Sequence, residues 1–439
     1  MNITASKVDT VNNFSRITQW IIAVLIVLQL ITFIWGQFIP HRLNAVLFFG
    51  SSFTLGIWVL KHYYKKQVAI IEIKNNKHSL LKVFAFLGLV LAVSFFVNNT
   101  IFLKHPIIAK ESDVIPTIIE LCQRLLAGNF VYEPIEKFGY HLPVTYLPMQ
   151  WLPYVPAEYF HFDYRWIVVA IWLLVSFIVF KDAQKYNNAQ QILGYGSLFL
   201  LPYFLSSVMP DKPIGGIVFM TVEFMVAAYY VLLMKCIHFK SAIVRGLIVA
   251  ICLLSRYSLV LWLPLALVVL WMNEPKKKLL ITLATIIIFI LCIYVIPFLS
   301  HDWMAFYKGY KYYDNAAFGE WTVSYDGSGL PHHLFRGYGF ASFIYSYFPN
   351  LSIEARISLL QKLHLFGSLT SVGTLILVYL KIRNSIDYRI FLLASFKIYI
   401  ALFLFLIQVP YQYLMLVDVY ISIMLIWEIS RYKIINNTI

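Results

Sequence analysis

The side chains that could do chemistry are few, because only 13% of the 439 residues are charged. Asp113 opens the segment DVIPTIIELCQRLLA at 113–127. A carboxylate there could act as a general base toward a hydroxyl, or could simply cap the helix that follows. Glu111, two residues earlier, competes for the role of base. Arg256 lies in the apolar run CLLSRYSLVLWLPL. A guanidinium in such a run costs about 3 kcal/mol on insertion scales, so it needs an anion or carbonyls. Phosphate suits it, being bound bidentately, although snorkelling to the surface would also satisfy it. Lys212, beside Asp211 in MPDKPIGG, precedes a helix start that favours an anion. The stretch YDGSGLPHHLFRGYG carries Asp326, His332, His333 and Arg336, which suit contacts to a phosphate or a sugar.

Two further carboxylates, Glu223 and Asp418, fall inside apolar stretches. There a carboxylate must face the bundle interior, protonated or paired, either as a structural contact or as a proton relay. No metal or other cofactor is expected. In an extended chain His332 and His333 point apart and chelate poorly. The four cysteines, Cys122, Cys236, Cys252 and Cys292, form no CxxC pair. Aromatic residues gather after Gly128, in NFVYEP and HLPVTYLPMQWLPYVP. Tyr132, Tyr146 and Trp151 among them could stack on sugar faces or form an aromatic belt at a membrane surface.

The elements that must position these groups are membrane helices. Hydrophobic residues make up 60% of the chain, in blocks of roughly 17–25, the length that crosses a hydrocarbon core. In lipid the backbone must pair with itself, so such blocks are helices. Twelve spans are expected, near 17–36, 43–60, 80–103, 166–181, 189–209, 214–235, 243–255, 257–272, 279–299, 366–381, 388–408 and 411–429. The chain reads as one integral membrane domain, 1–439, of the all-α polytopic class. The polar start, Met1 to Arg16, shows no cleavable signal before the first span.

The net charge of +14 is spread over short connectors rather than gathered in one patch, which argues against a nucleic-acid partner. Alternate connectors carry the Lys and Arg, from Lys61, Lys65 and Lys66 through Lys276–Lys278 to Arg431 and Lys433. With twelve spans they share one side, the cytoplasmic one, as do both termini. Two long segments, 104–165 and 300–365, then face outward, and long loops are usually functional. Within the first, 113–127 has the periodicity of an amphipathic helix lying along the interface, ended by Gly128.

An acidic residue after the third span, an amphipathic helix, the turn Gly128-Asn129-x-x-Tyr132 and then Pro143-x-x-Tyr146-x-Pro148 together resemble the GT-C superfamily of polytopic glycosyltransferases. The closest likeness is to the bacterial branch that uses polyprenyl-phosphate mannose. The resemblance implies an outward-facing active site in a bacterial cytoplasmic membrane. It also implies a polyprenyl-phosphate-linked sugar donor, a lipid or glycan acceptor, and a catalytic base that best matches Asp113. Basic residues near the outward helix ends, here Arg256, would hold the donor phosphate. The rival expectations are a secondary transporter, since twelve spans with both ends inside is a common transporter plan, and a flippase or polymerase of lipid-linked glycans.

Overall fold

The computed structural model describes residues 10–11, 16–70, 77–109, 112–139, 141–183, 220–324, 329–335 and 338–435. Its main helices are α1 (Arg16–Trp35), α2 (His41–Tyr63), α3 (Lys77–Lys104), α4 (Val114–Leu126), α5 (Arg165–Ala183), α6 (Glu223–Cys236) and α7 (Ala242–Leu253). They continue with α8 (Leu263–Asn273), α9 (Lys276–Ile290), α10 (Ala305–Thr322), α11 (Ala341–Tyr347), α12 (Ile353–Ile382), α13 (Tyr388–Phe405) and α14 (Met415–Ile429). Among the described residues, six segments are long and apolar enough to cross a membrane: Ile17–Trp35, His41–Tyr63, Lys276–Leu299, Ile353–Ser385, Tyr388–Phe405 and Gln412–Ile429. This is the composition and helix length of an all-α membrane protein. The span expected at 189–209, and the start of that at 214–235, lie outside the described residues.

The centre of the bundle is α14, in which every residue is buried. It packs against α6, α13 and α1, and α13 in turn packs along α2. A fully buried ion pair crosses this centre. Lys397 on α13 donates to Asp418 Oδ1 on α14 at 2.6 Å, and Ser52 on α2 donates to Asp418 Oδ2 at 2.7 Å. Charges in such surroundings persist only when paired and hydrogen-bonded.

One end of the bundle gathers the connectors rich in Lys and Arg. Three short strands, β1 (Thr10–Val11), β2 (Val68–Ile70) and β3 (Tyr432–Ile435), pair antiparallel there in the order β1-β3-β2. The sheet is an addition to the purely helical fold expected. Its strands of two to four residues are too short for a period of two to register in the sequence. It joins three segments that charge alone assigns to one side. Several connector cations are structural rather than solvated. Lys235, buried, pairs with Asp182 and with Glu428 at 3.3 Å, and Arg431 reaches both carboxylates at 2.9 Å. Arg245 pairs with Glu274 at 2.6 Å.

The opposite end carries the two long segments. The first runs from the end of α3 to the start of α5, as expected. The second is shorter than 300–365, because α12 begins at Ile353. Ser352 caps that helix, accepting a hydrogen bond from the Ala355 N–H at 3.3 Å, and Glu354 in its first turn suits the helix dipole. The second segment also contains α10, an 18-residue helix whose mixed aromatic and polar sequence gives little apolar periodicity.

Candidate functional site at the loop end

Helix α4 forms as its sequence dictates. Ile115, Ile118, Leu121 and Cys122 make one wholly buried face. The chain then leaves at Gly128, whose φ of +73° is the left-handed conformation that glycine adopts at a helix C-terminus. That face packs on the proline-rich segment of the same loop, with the Cys122 thiol donating to the Trp151 carbonyl at 3.7 Å. Burial pushes this thiol up to about 12. The apolar face expected to lie on lipid is therefore covered by protein. The prolines themselves break the segment into short turns, Pro148–Trp151, Leu152–Tyr154 and Val155–Tyr159, each with proline in its first turn.

Asp113 sits at the N-cap position of α4 and makes no side-chain capping bond. The Ser112 hydroxyl instead accepts from the Val114 N–H at 3.4 Å and donates to the Met220 carbonyl at 3.3 Å. The capping reading of Asp113 is thus set aside. Burial and the negative charges of Asp113 and Glu136 push the hydroxyl of Tyr312 on α10 above its ordinary value. Tyr312 donates to the His141 carbonyl at 2.6 Å, and His141 pairs with Glu136. α10 lies hard against this loop at Gly309, where a Cβ would stand 2.8 Å from the Val144 carbonyl oxygen.

Arg165 frames the same corner. It chelates Asp163, its Nε and Nη2 contacting Oδ1 at 2.9 Å and Oδ2 at 2.6 Å. It also donates to the carbonyls of His105 at 2.6 Å and Phe102 at 3.1 Å, and approaches the Met220 sulfur at 3.8 Å. In this way Arg165 ties the end of α3, the start of α5 and Met220 just before α6 together.

Arg256 occupies the turn between α7 and α8 and pairs with Glu223. Glu223 stands in the first turn of α6, where its charge complements the helix dipole. The proline-rich segment docks beside this pair. Met149 N–H donates to the Leu254 carbonyl at 3.0 Å, and the Tyr229 hydroxyl donates to the Met149 carbonyl at 3.4 Å. Arg124 holds the Gly128–Tyr132 turn through the carbonyls of Val131 and Glu133, and that of Pro134 at 3.1 Å. Tyr132 accepts from Trp151 Nε1 at 3.4 Å and packs against Phe298 and Tyr294. Trp151 is wholly buried against Phe298, so its ring offers no face to a sugar. Tyr146 is only partly buried.

His332 and His333 lie in a helical turn, not an extended chain, with their rings perpendicular and 5.2 Å apart. His333 Nδ1 pairs with Glu320 near the far end of α10, and the Tyr411 hydroxyl donates to the same carboxylate at 3.0 Å. Burial pushes the Glu320 carboxyl up, but His333 and Tyr411 outweigh it and hold it below the usual glutamate value. Glu320 and Tyr411 escaped the sequence reading, although a lone acid in the aromatic run AAFGEWT was a usable signal. Tyr312 and Glu320 are eight residues apart on α10 (312 to 320), about 12 Å at the rise of a helix. Asp113 and His333 thus flank one helix at different heights. Glu111, Lys212, Asp326 and Arg336 lie outside the described residues. Compared with models of protein families, with curated proteins and with solved structures, the chain matches none.

Proposed function

We propose that this chain is a glycosyltransferase that moves a sugar, mannose or another hexose or pentose, from a polyprenyl-phosphate donor to an envelope lipid or glycan. In this reading twelve helices span a bacterial cytoplasmic membrane, both termini are cytoplasmic, and the loop end faces outward. The observation that carries it is Asp113. This carboxylate opens α4 without capping it, and its negative charge acts on Tyr312 at the loop end. Asp113 takes the proton from an acceptor hydroxyl, whose oxygen attacks the anomeric carbon opposite the phosphate. The bond from that carbon to the phosphate oxygen breaks, and the configuration inverts. Polyprenyl phosphate leaves already charged, so no strong acid is required. Arg256, aimed by Glu223, contacts the donor phosphate, and His332, His333, Arg336 and Lys212 supplement it. Tyr132, Tyr146, Trp151 and Asp326 stand as the sugar and acceptor side. Of these, Trp151 is confined by its burial to supporting Tyr132. The test is purified protein with a polyprenyl-phosphate sugar and membrane extract, scored for donor consumption and for the anomeric configuration of the product. Retained configuration, or a donor that is never consumed, would defeat the reading.

A second reading, a secondary transporter, draws on the Lys397–Asp418 pair, since ionisable groups inside a membrane bundle often mark transport pathways. A flippase or polymerase of lipid-linked glycans would share the same large outward loops. A transporter or flippase would leave donor and acceptor chemically unchanged in that assay, whereas a polymerase would join lipid-linked glycans to one another and not transfer the single sugar.

A further inference from the structure

Arg42, in the first turn of α2 at the loop end, is held by aromatic rings and not by a carboxylate. Its guanidinium lies 5.0 Å from the ring centre of Tyr347 and 5.8 Å from that of Phe343, both on α11. Among the described residues no carboxylate pairs with it, and its Nε is buried without a hydrogen-bond partner. Its neighbour His41 is packed edge-on against Phe335 at 4.7 Å, with Nε2 likewise unpartnered among the described residues. A half-buried cation over aromatic rings, with its Nε unpartnered among the described residues, suits an anion.

The surface below Arg42 says which anion. Val46, Gly50 and Ile57 recur at helical spacing on the same side of α2, and Val46 and Ile57 are 52% and 53% exposed. A Cβ at Gly50 would meet nothing within 4 Å, so the stripe has a notch in its middle. Leu43 and Tyr347 beside it are exposed as well. A cation over aromatic rings at the head of an exposed apolar stripe matches a lipid end to end, phosphate above and acyl chain below. A free phosphate would use the cation and leave the stripe uncovered.

We propose that Arg42, clamped by Phe343 and Tyr347, binds the phosphate of an anionic glycerophospholipid whose acyl chain lies along Val46, Gly50 and Ile57. The site is separate from Arg256 and does not depend on the transferase reading. The experiment is native mass spectrometry of the full chain released from vesicles of equal phosphatidylglycerol and phosphatidylcholine. Wild type is expected to retain one phosphatidylglycerol in preference to phosphatidylcholine, even in excess inorganic phosphate. Arg42→Gln should lower that retention roughly tenfold or more, the scale of a lost charge-assisted contact. Gly50→Leu, whose side chain enters open space and leaves the packing intact, should also weaken it, and decides the matter if Arg42→Gln fails to fold. Equal retention of the two lipids, unchanged retention in Gly50→Leu or in a folded Arg42→Gln, or displacement by inorganic phosphate would each overturn the proposal.

Discussion

Lys397 and Asp418 show how much one buried pair can demand. Both are wholly inaccessible, and Ser52 completes the carboxylate's hydrogen bonding. Removing one partner leaves the other as an uncompensated charge, at a cost of about 3–5 kcal/mol. Lys397→Met and Asp418→Asn are each expected to lower the thermal midpoint in detergent sharply. The double variant Lys397→Met with Asp418→Leu should recover most of the loss, and failure to recover would mean that the pair has a role beyond packing. Of the two, only Asp418 stood out in the sequence. Lys397 in FLLASFKIYIALF was equally visible as a cation in an apolar run, and the two were separated only by chain distance. The pairing of Arg256 with Glu223 was hidden for the same reason. Each residue was legible as a charge needing a partner, but 33 residues of chain (223 to 256) concealed that they satisfy one another.

At the scale of elements, α10 is the piece that organises the loop end. It meets the Asp113 region through Tyr312 and the His332–His333 turn through Glu320. Its close seat on the 141–146 segment depends on Gly309, where a side chain would meet backbone rather than a yielding side chain. Gly309→Leu is expected to destabilise the chain by about 1–3 kcal/mol, as overpacking does. It should also open the Tyr312–His141 contact, detected as faster hydrogen exchange in 141–146; unchanged exchange there would mean that α10 does not seat as described. Glu320 adds a pH dependence. Its carboxyl is held below the usual 4.5 in the folded chain. A depressed carboxyl stabilises above its unfolded value, and that contribution is lost as pH falls through the folded one. Stability attributable to Glu320, taken as the difference between wild type and Glu320→Gln in thermal melts, should therefore shrink as pH falls below about 4.5. A difference that grew below about pH 4.5 would contradict the assignment. Helix α4 was readable from its apolar period, and Gly128 from its place after it. α10 was not, because its residues divide between loop contacts and solvent and leave no single apolar stripe.

For the whole molecule, alternation of basic connectors foretold that both termini and the α2–α3 connector share one end, and the sheet β1-β3-β2 holds those three segments together. The six spanning-length helices among the described residues were legible because lipid-length apolar blocks admit no other structure. Cysteine labelling in intact cells tests the orientation proposed for this bundle. With the native cysteines replaced, Ser352→Cys at the loop end is expected to react with an impermeant maleimide added outside. Ser241→Cys at the basic end should react only after the membrane is opened. The reverse pattern would invert the topology and remove an outward active site.

The measurement that bears most directly on the central claim is transfer of radiolabelled sugar from polyprenyl-phosphate mannose into membrane extract, by wild type and Asp113→Asn at matched expression. Removing a general base typically costs about 100-fold or more. Transfer by wild type with a loss of that size in Asp113→Asn, while Glu111→Gln remains active, is the expected result. Equal transfer by wild type and Asp113→Asn would contradict the assignment of the base. No transfer by wild type, with a donor preparation that serves a known enzyme, would contradict the proposed donor class itself.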